Sequence, residues 1–109
     1  MTKLTEVPAQ TIHQQMQGRD ILLVDVREPA EHAAEHIAGA LLVPLSSFDP
    51  ATLPQQEGRE IVFHCAGGKR SAAAVARCLD QGLAHTRHMT GGLQAWKEAG
   101  LPTVAARKS

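Results

Sequence analysis

The chain has 109 residues, a length that fits one domain over 1–109, and 43% of them are hydrophobic, enough for one compact core. Eleven Lys plus Arg balance eleven Asp plus Glu, which argues against nucleic acid held by bulk charge, and three aromatic residues make no stacking platform for single strands. There is no apolar stretch of signal-peptide length at the N-terminus and no run of membrane-spanning length, so a cytoplasmic location is expected.

Pro8 opens a first helix over 9–17, and Gly18 stops it. Residues 21–26 form a nearly continuous apolar run, as a central parallel strand buried on both faces requires. Pro29 suits the first turn of a short helix over 30–36, closed by Gly39, and a short strand follows over 40–43. Pro50 and Pro54 break up 46–57 into a short helix or irregular turns. Residues 61–64 are the second clear central strand. A helix over 71–81 follows, ended by Gly82, with Ala72, Val75, Ala76 and Leu79 at the spacing of one face, which should pack on the sheet. A last strand over 86–89 leads through Gly91-Gly92 into a helix reaching Ala99, and Gly100 and Pro102 end it. The tail from Ala105 should be polar and frayed. Strands alternating with helices predict an α/β domain with a mostly parallel sheet, whose ligand site lies beyond the carboxyl ends of the strands.

Cys65 stands at such an end and opens the run Cys65-Ala66-Gly67-Gly68-Lys69-Arg70-Ser71. Gly67 and Gly68 allow the backbone to curl so that several N–H groups converge, and a helix begins immediately behind them. Both features favour a thiolate over a thiol whose pKa in solution is about 8.5. Lys69 and Arg70 add positive charge. Such a cradle suits a small oxyanion, or an extra sulfur carried on Cys65.

The run resembles the active-site loop of the rhodanese-like family, Cys-x-x-Gly-x-Arg-Ser. Three further segments match in order: Leu23-Val24-Asp25-Val26-Arg27-Glu28, His36-Ile37-Ala38-Gly39-Ala40 and Gly91-Gly92-Leu93-Gln94-Ala95-Trp96. Glu35 departs from the pattern, where the family has Gly. The resemblance implies a rhodanese-like fold, a parallel five-stranded sheet flanked by helices on both faces. It also implies a thiosulfate sulfurtransferase with Cys65 as the catalytic nucleophile. Thiosulfate or a persulfide would load Cys65, and cyanide or a thiol, including a thiol on a protein partner, would unload it. Loop N–H groups from Ala66 to Ser71 would stabilise the persulfide, and Lys69 and Arg70 would attract the anionic donor, with the family pattern favouring Arg70. No metal, organic cofactor, nucleic acid or membrane is implied. Two alternatives keep the fold: a sulfur relay to a partner protein, and a non-catalytic binding module. Phosphatase or arsenate reductase activity is disfavoured because related phosphatases carry Cys-x5-Arg, a larger ring than the Cys-x4-Arg here.

Asp25 ends a buried strand and needs a partner, for which Arg27 and Arg70 both qualify; Asp25 and Arg27 either support the loop or simply cap the strand. His32-Ala33-Ala34-Glu35-His36 has the form of a zinc-peptidase motif, but its helix is short and no third ligand is evident. His64 should point to the sheet face opposite Cys65 and serve packing. His13, His85 and His88 are scattered in the sequence. Cys78, 13 residues after Cys65, is read as a buried inert thiol that disulfide geometry keeps from pairing with Cys65. Trp96 is a candidate core anchor.

Overall fold

The structure, a computed structural model, describes residues 4–54 and 58–106. Five strands, β1 (Thr5–Val7), β2 (Ile21–Asp25), β4 (Leu41–Leu42), β5 (Glu60–His64) and β6 (Arg87–Met89), form one sheet in the order β1-β6-β5-β2-β4, and every neighbouring pair is parallel. The two apolar runs become the central strands β2 and β5, in register from Ile21 opposite Glu60 to Asp25 opposite His64. Burial on both faces explains why they read as runs rather than as alternation.

The strand alternation divides the core in two. Ile21, Leu23, Val62 and Met89 face helices α1 (Ala9–Gln17) and α4 (Gly92–Glu98), with Ile12 and Trp96 closing that layer. Val24, Ile61, Phe63 and Cys65 face helix α3 (Lys69–Asp80). Trp96 is the core anchor expected, and its indole N–H donates to the Pro102 carbonyl at 2.8 Å.

Three expectations are corrected. Helix α2 runs Pro29–Ala34 and not to residue 36, because Glu35 turns extended (φ −162°, ψ 134°). Glu35–His36 is β3, which pairs antiparallel with β7 (Val104–Ala105), so the tail expected to fray is partly held; residues 107–109 lie outside the described part. Pairing with a distant segment overrides local helix preference there. The stretch 46–57 contains two 3-10 turns, Leu45–Ser47 and Pro50–Thr52, with 55–57 outside the described residues.

The third correction concerns α3. It begins at Lys69, two residues early, because Gly68 at φ +112° caps it in a left-handed conformation. Its buried face is Ser71, Ala74, Val75 and Cys78, whereas Ala76 is exposed. Small side chains let this helix lie close over Cys65 and β6. The two alanines are therefore expected to respond differently. Ala74→Leu should overpack the interface and cost about 1–3 kcal/mol, while Ala76→Leu should stay within about 0.5 kcal/mol of the parent. Urea denaturation of both variants checks this.

Candidate active site

β5 delivers Cys65 to the carboxyl edge of the sheet on the α3 face, and the chain must then reverse into α3 within three residues. Gly68 makes the reversal, and its left-handed backbone swings its own N–H back toward the sulfur. Gly68 N–H donates to Cys65 Sγ at 3.0 Å and Ser71 N–H donates at 3.4 Å. The Ser71 hydroxyl oxygen lies 3.6 Å from Sγ. Gly67 is exposed with an ordinary backbone, so of the two loop glycines it is Gly68 that the turn requires. Cys65 is 1% exposed. Burial pushes its thiol up, but the Ser71 hydroxyl and the N–H groups of Ser71, Gly68 and Gly67 outweigh burial and leave it below the usual thiol value.

The other side of the loop is fixed by α4. Leu93 N–H donates to the Cys65 carbonyl at 2.8 Å and Gln94 N–H to the Ala66 carbonyl at 3.1 Å. These are free donors of the first turn of α4, satisfied by the first two carbonyls of the loop. The approach requires Gly92: at φ +60°, a Cβ there would overlap the Cys65 carbonyl oxygen and lie 2.8 Å from the Ala66 carbonyl carbon. Beside the loop opens a depression of about 590 Å³, lined by Ala66, Gly67, Leu93, Gln94, Lys97 and Glu98.

Asp25 and Arg27 lie elsewhere. Asp25 points to the sheet face opposite Cys65, and Arg27, not Arg70, is its partner, with Nη2–Oδ2 at 2.8 Å and Nε–Oδ1 at 3.0 Å. Burial pushes the Asp25 carboxyl up, but the Arg27 hydrogen bond and the nearby His64 hold it below its ordinary value. Arg27 also donates to the Glu35 carbonyl at 2.7 Å, which fixes the end of α2. From the first turn of α2, Glu31 reaches Arg70 with two hydrogen bonds, at 2.6 and 2.9 Å. Hydrogen bonds from Arg70 and from the Glu28 N–H hold the Glu31 carboxyl down to about 2. Asp25 and Arg27 thus meet the loop indirectly, through α2 and Glu31. Lys69 is exposed at the loop rim.

His64 faces away from Cys65, as strand alternation predicts, and is buried 3.8 Å from Asp25. The zinc-like motif does not converge: Glu35 bonds Lys97 and Thr103, while His36 Nδ1 donates to the His32 carbonyl with the two rings stacked. Cys78 is fully buried under α3 and its thiol is pushed up to about 11 by that burial.

Three site residues escaped the sequence reading. Glu31 was legible as the third helical residue of α2, where a Glu closes a capping box with Glu28. His88 and Glu6 were not: Ser71 Oγ lies 2.8 Å from His88 Nδ1, and His88 Nε2 lies 2.9 Å from Glu6 Oε1. This contact joins residues up to 82 positions apart in the chain, beyond any local motif.

Residues 8–99 match the rhodanese-like domain family. An uncharacterized protein of Synechocystis sp. is 43% identical over 99% of this chain, which spans 60% of that protein's length. A sulfurtransferase of Allochromatium vinosum is 34% identical, with 94% of this chain and 96% of that protein covered. Among solved structures, a rhodanese-related protein of Thermoplasma volcanium superposes with a TM-score of 0.79 at 30% identity, covering 92% of this chain and 97% of that one.

Two variants test the supports of the loop. Gly92→Ala should lose roughly 2–5 kcal/mol from left-handed strain plus overlap with the loop backbone, read by urea denaturation. Asp25→Asn should cost about 3–5 kcal/mol because it strands the buried Arg27. The folded carboxyl of Asp25 lies below its unfolded value of about 3.9, so its contribution is present above that pH and falls away as acid approaches the lower folded value. Stability curves of parent and Asn variant should therefore converge on acidification below pH about 4.

Proposed function

The chain belongs to the rhodanese-like family, and we propose that it is a sulfurtransferase that carries sulfane sulfur as a persulfide on Cys65. The observation that carries this reading is the convergence of the Ser71 hydroxyl and of main-chain N–H groups on the Cys65 sulfur, with Gly68 N–H at 3.0 Å and Ser71 N–H at 3.4 Å. In the first half-reaction the thiolate attacks the outer sulfur of thiosulfate. A new S–S bond forms as the old one breaks, and sulfite leaves with that bond's electron pair. The terminal sulfur of the persulfide, about 2 Å beyond Sγ, carries the negative charge and is held by the same N–H donors. In the second half-reaction cyanide or a thiolate, including a thiol of a partner protein, attacks that outer sulfur, and Cys65 thiolate departs. Splitting the transfer in two gives ping-pong kinetics.

The compact Cys-x4-Arg ring supports sulfur over a tetrahedral phosphate. Arg70 stands in the first turn of α3 beside the loop, which supports a role beside the incoming anion even though its hydrogen bonds go to Glu31.

Intact-mass measurement after thiosulfate treatment should show a gain of one sulfur, about 32 Da, absent in Cys65→Ser. An unchanged parent mass would favour a binding module. Arg70→Ala should raise the KM for thiosulfate by about tenfold, the equivalent of one charge-assisted hydrogen bond, with much less effect on the thermal midpoint. Unchanged thiosulfate kinetics would place Arg70 outside donor binding.

A further inference from the structure

Cys65 is 1% exposed, so its thiol has little contact with bulk water, yet the reading of Cys65 as a sulfur carrier needs the thiolate. A continuous line of hydrogen bonds leads away from it. Ser71 Oγ lies 3.6 Å from Sγ and 2.8 Å from His88 Nδ1, and His88 Nε2 lies 2.9 Å from Glu6 Oε1. Ser71 and His88 are buried, while the Glu6 side chain is 60% exposed. The line therefore starts at the enclosed sulfur and ends in solvent.

We propose that Ser71, His88 and Glu6 form a proton relay for Cys65, in which His88 is a positioning residue that holds the thiol proton and so sets the thiolate fraction. In the resting state the Cys65 S–H donates to Ser71 Oγ, the Ser71 hydroxyl to His88 Nδ1, and the His88 Nε2–H to Glu6. On ionisation the thiol proton passes to Ser71 Oγ as the hydroxyl proton passes to Nδ1. The S–H electron pair stays on sulfur, and one net proton moves to the imidazole, leaving thiolate and imidazolium. Imidazole is the side chain that accepts and releases a proton near neutral pH. The Glu6 carboxylate stabilises the imidazolium, so an opposite charge stays near the thiolate. The Gly68 carbonyl, 3.1 Å from Ser71 Oγ, is a second acceptor that holds the hydroxyl when Nδ1 is already protonated.

The charged and titratable groups around this line are few. β1 supplies Glu6, the end of β5 supplies Cys65, and α3 supplies Ser71 with Lys69 and Arg70 in its first turn. From α2, Glu31 reaches Arg70 and offsets its charge. His64, next to Cys65 in sequence, belongs to the opposite sheet face with Asp25. His88 is thus the histidine wired to the sulfur.

The relay rests on the reading of Cys65 as the sulfur carrier, but its test needs no sulfur donor, so a failure of persulfide loading and a failure of the relay are separate results. The readout is the pH profile of Cys65 alkylation by iodoacetamide, resolved from Cys78 by peptide mass. His88→Asn should move the midpoint upward by roughly one pH unit or more, the scale of losing a neighbouring opposite charge, and Glu6→Gln should move it the same way by less. Ser71→Ala should also raise it, and adding His88→Asn to Ser71→Ala should produce no further shift, because the connection is already cut. An unshifted midpoint in His88→Asn, or a second shift that simply adds in the double variant, overturns the relay. If His88→Asn loses its fold by circular dichroism, Glu6→Gln at the exposed end decides: a raised midpoint supports the relay and an unchanged one overturns it.

Discussion

A sulfur anion at Cys65 depends on how the backbone around it is divided into donors and acceptors. The N–H groups of Gly68 and Ser71 point at the sulfur, whereas the carbonyls of Cys65 and Ala66 point away and are taken up by the first turn of α4. Were those carbonyls free, the peptide groups could turn over and present oxygen, and repulsion, to the same space. Two helix N-termini are therefore used for different ends: that of α3 faces the sulfur with its donors, and that of α4 locks the acceptors. Gly68 and Gly92 are the residues this division cannot do without, the first for its left-handed turn and the second for the close approach of α4.

The supports behind the loop follow from the cost of burying charge. Asp25 and Arg27 are both nearly inaccessible, and neither is tolerable there alone. Together they are satisfied, and Arg27 also donates to the carbonyls of Glu31 in α2 and of Glu35 just after it. That fixes α2, which carries Glu31 to Arg70 at the edge of the loop. A carboxylate on one sheet face thereby helps position a cation on the other without facing the sulfur. The more exposed Glu31–Arg70 pair adds geometry more than stability, since screened pairs contribute little.

The central strands, the first helix and the glycine-rich loop were legible because each is written locally: a continuous apolar run, a proline start, a cysteine at a strand end followed by glycines and cations. Errors occurred where distant segments decide. Glu35 left its helix because Val104–Ala105 pairs with it. The buried stripe of α3 was misplaced because Ala is compatible with either side; Ser71 fixes the rotation by facing both Sγ and His88. The partner of Asp25 stayed open between Arg27 and Arg70 for the same reason, since both arginines fit by chemistry and only placement distinguishes them. His88 looked like one of several scattered histidines until the sheet set β6 between β1 and β5.

The chain carries its own control for what burial does to a thiol. Cys65 and Cys78 are both essentially inaccessible and belong to the same core layer beneath α3. Burial alone drives Cys78 up to about 11, a neutral and unreactive thiol at physiological pH. Burial also pushes Cys65 up, and yet it falls below the ordinary thiol value, and the groups that reverse it are the Ser71 hydroxyl and three main-chain N–H donors. Exposure is therefore not what distinguishes the two thiols. Enclosure works in its favour: in a medium of low dielectric, fixed donors act on the sulfur more strongly than they would in water. What enclosure takes away is direct contact with solvent, and the hydrogen bonds from Ser71 through His88 to Glu6 are where the proposed relay would restore it at Cys65.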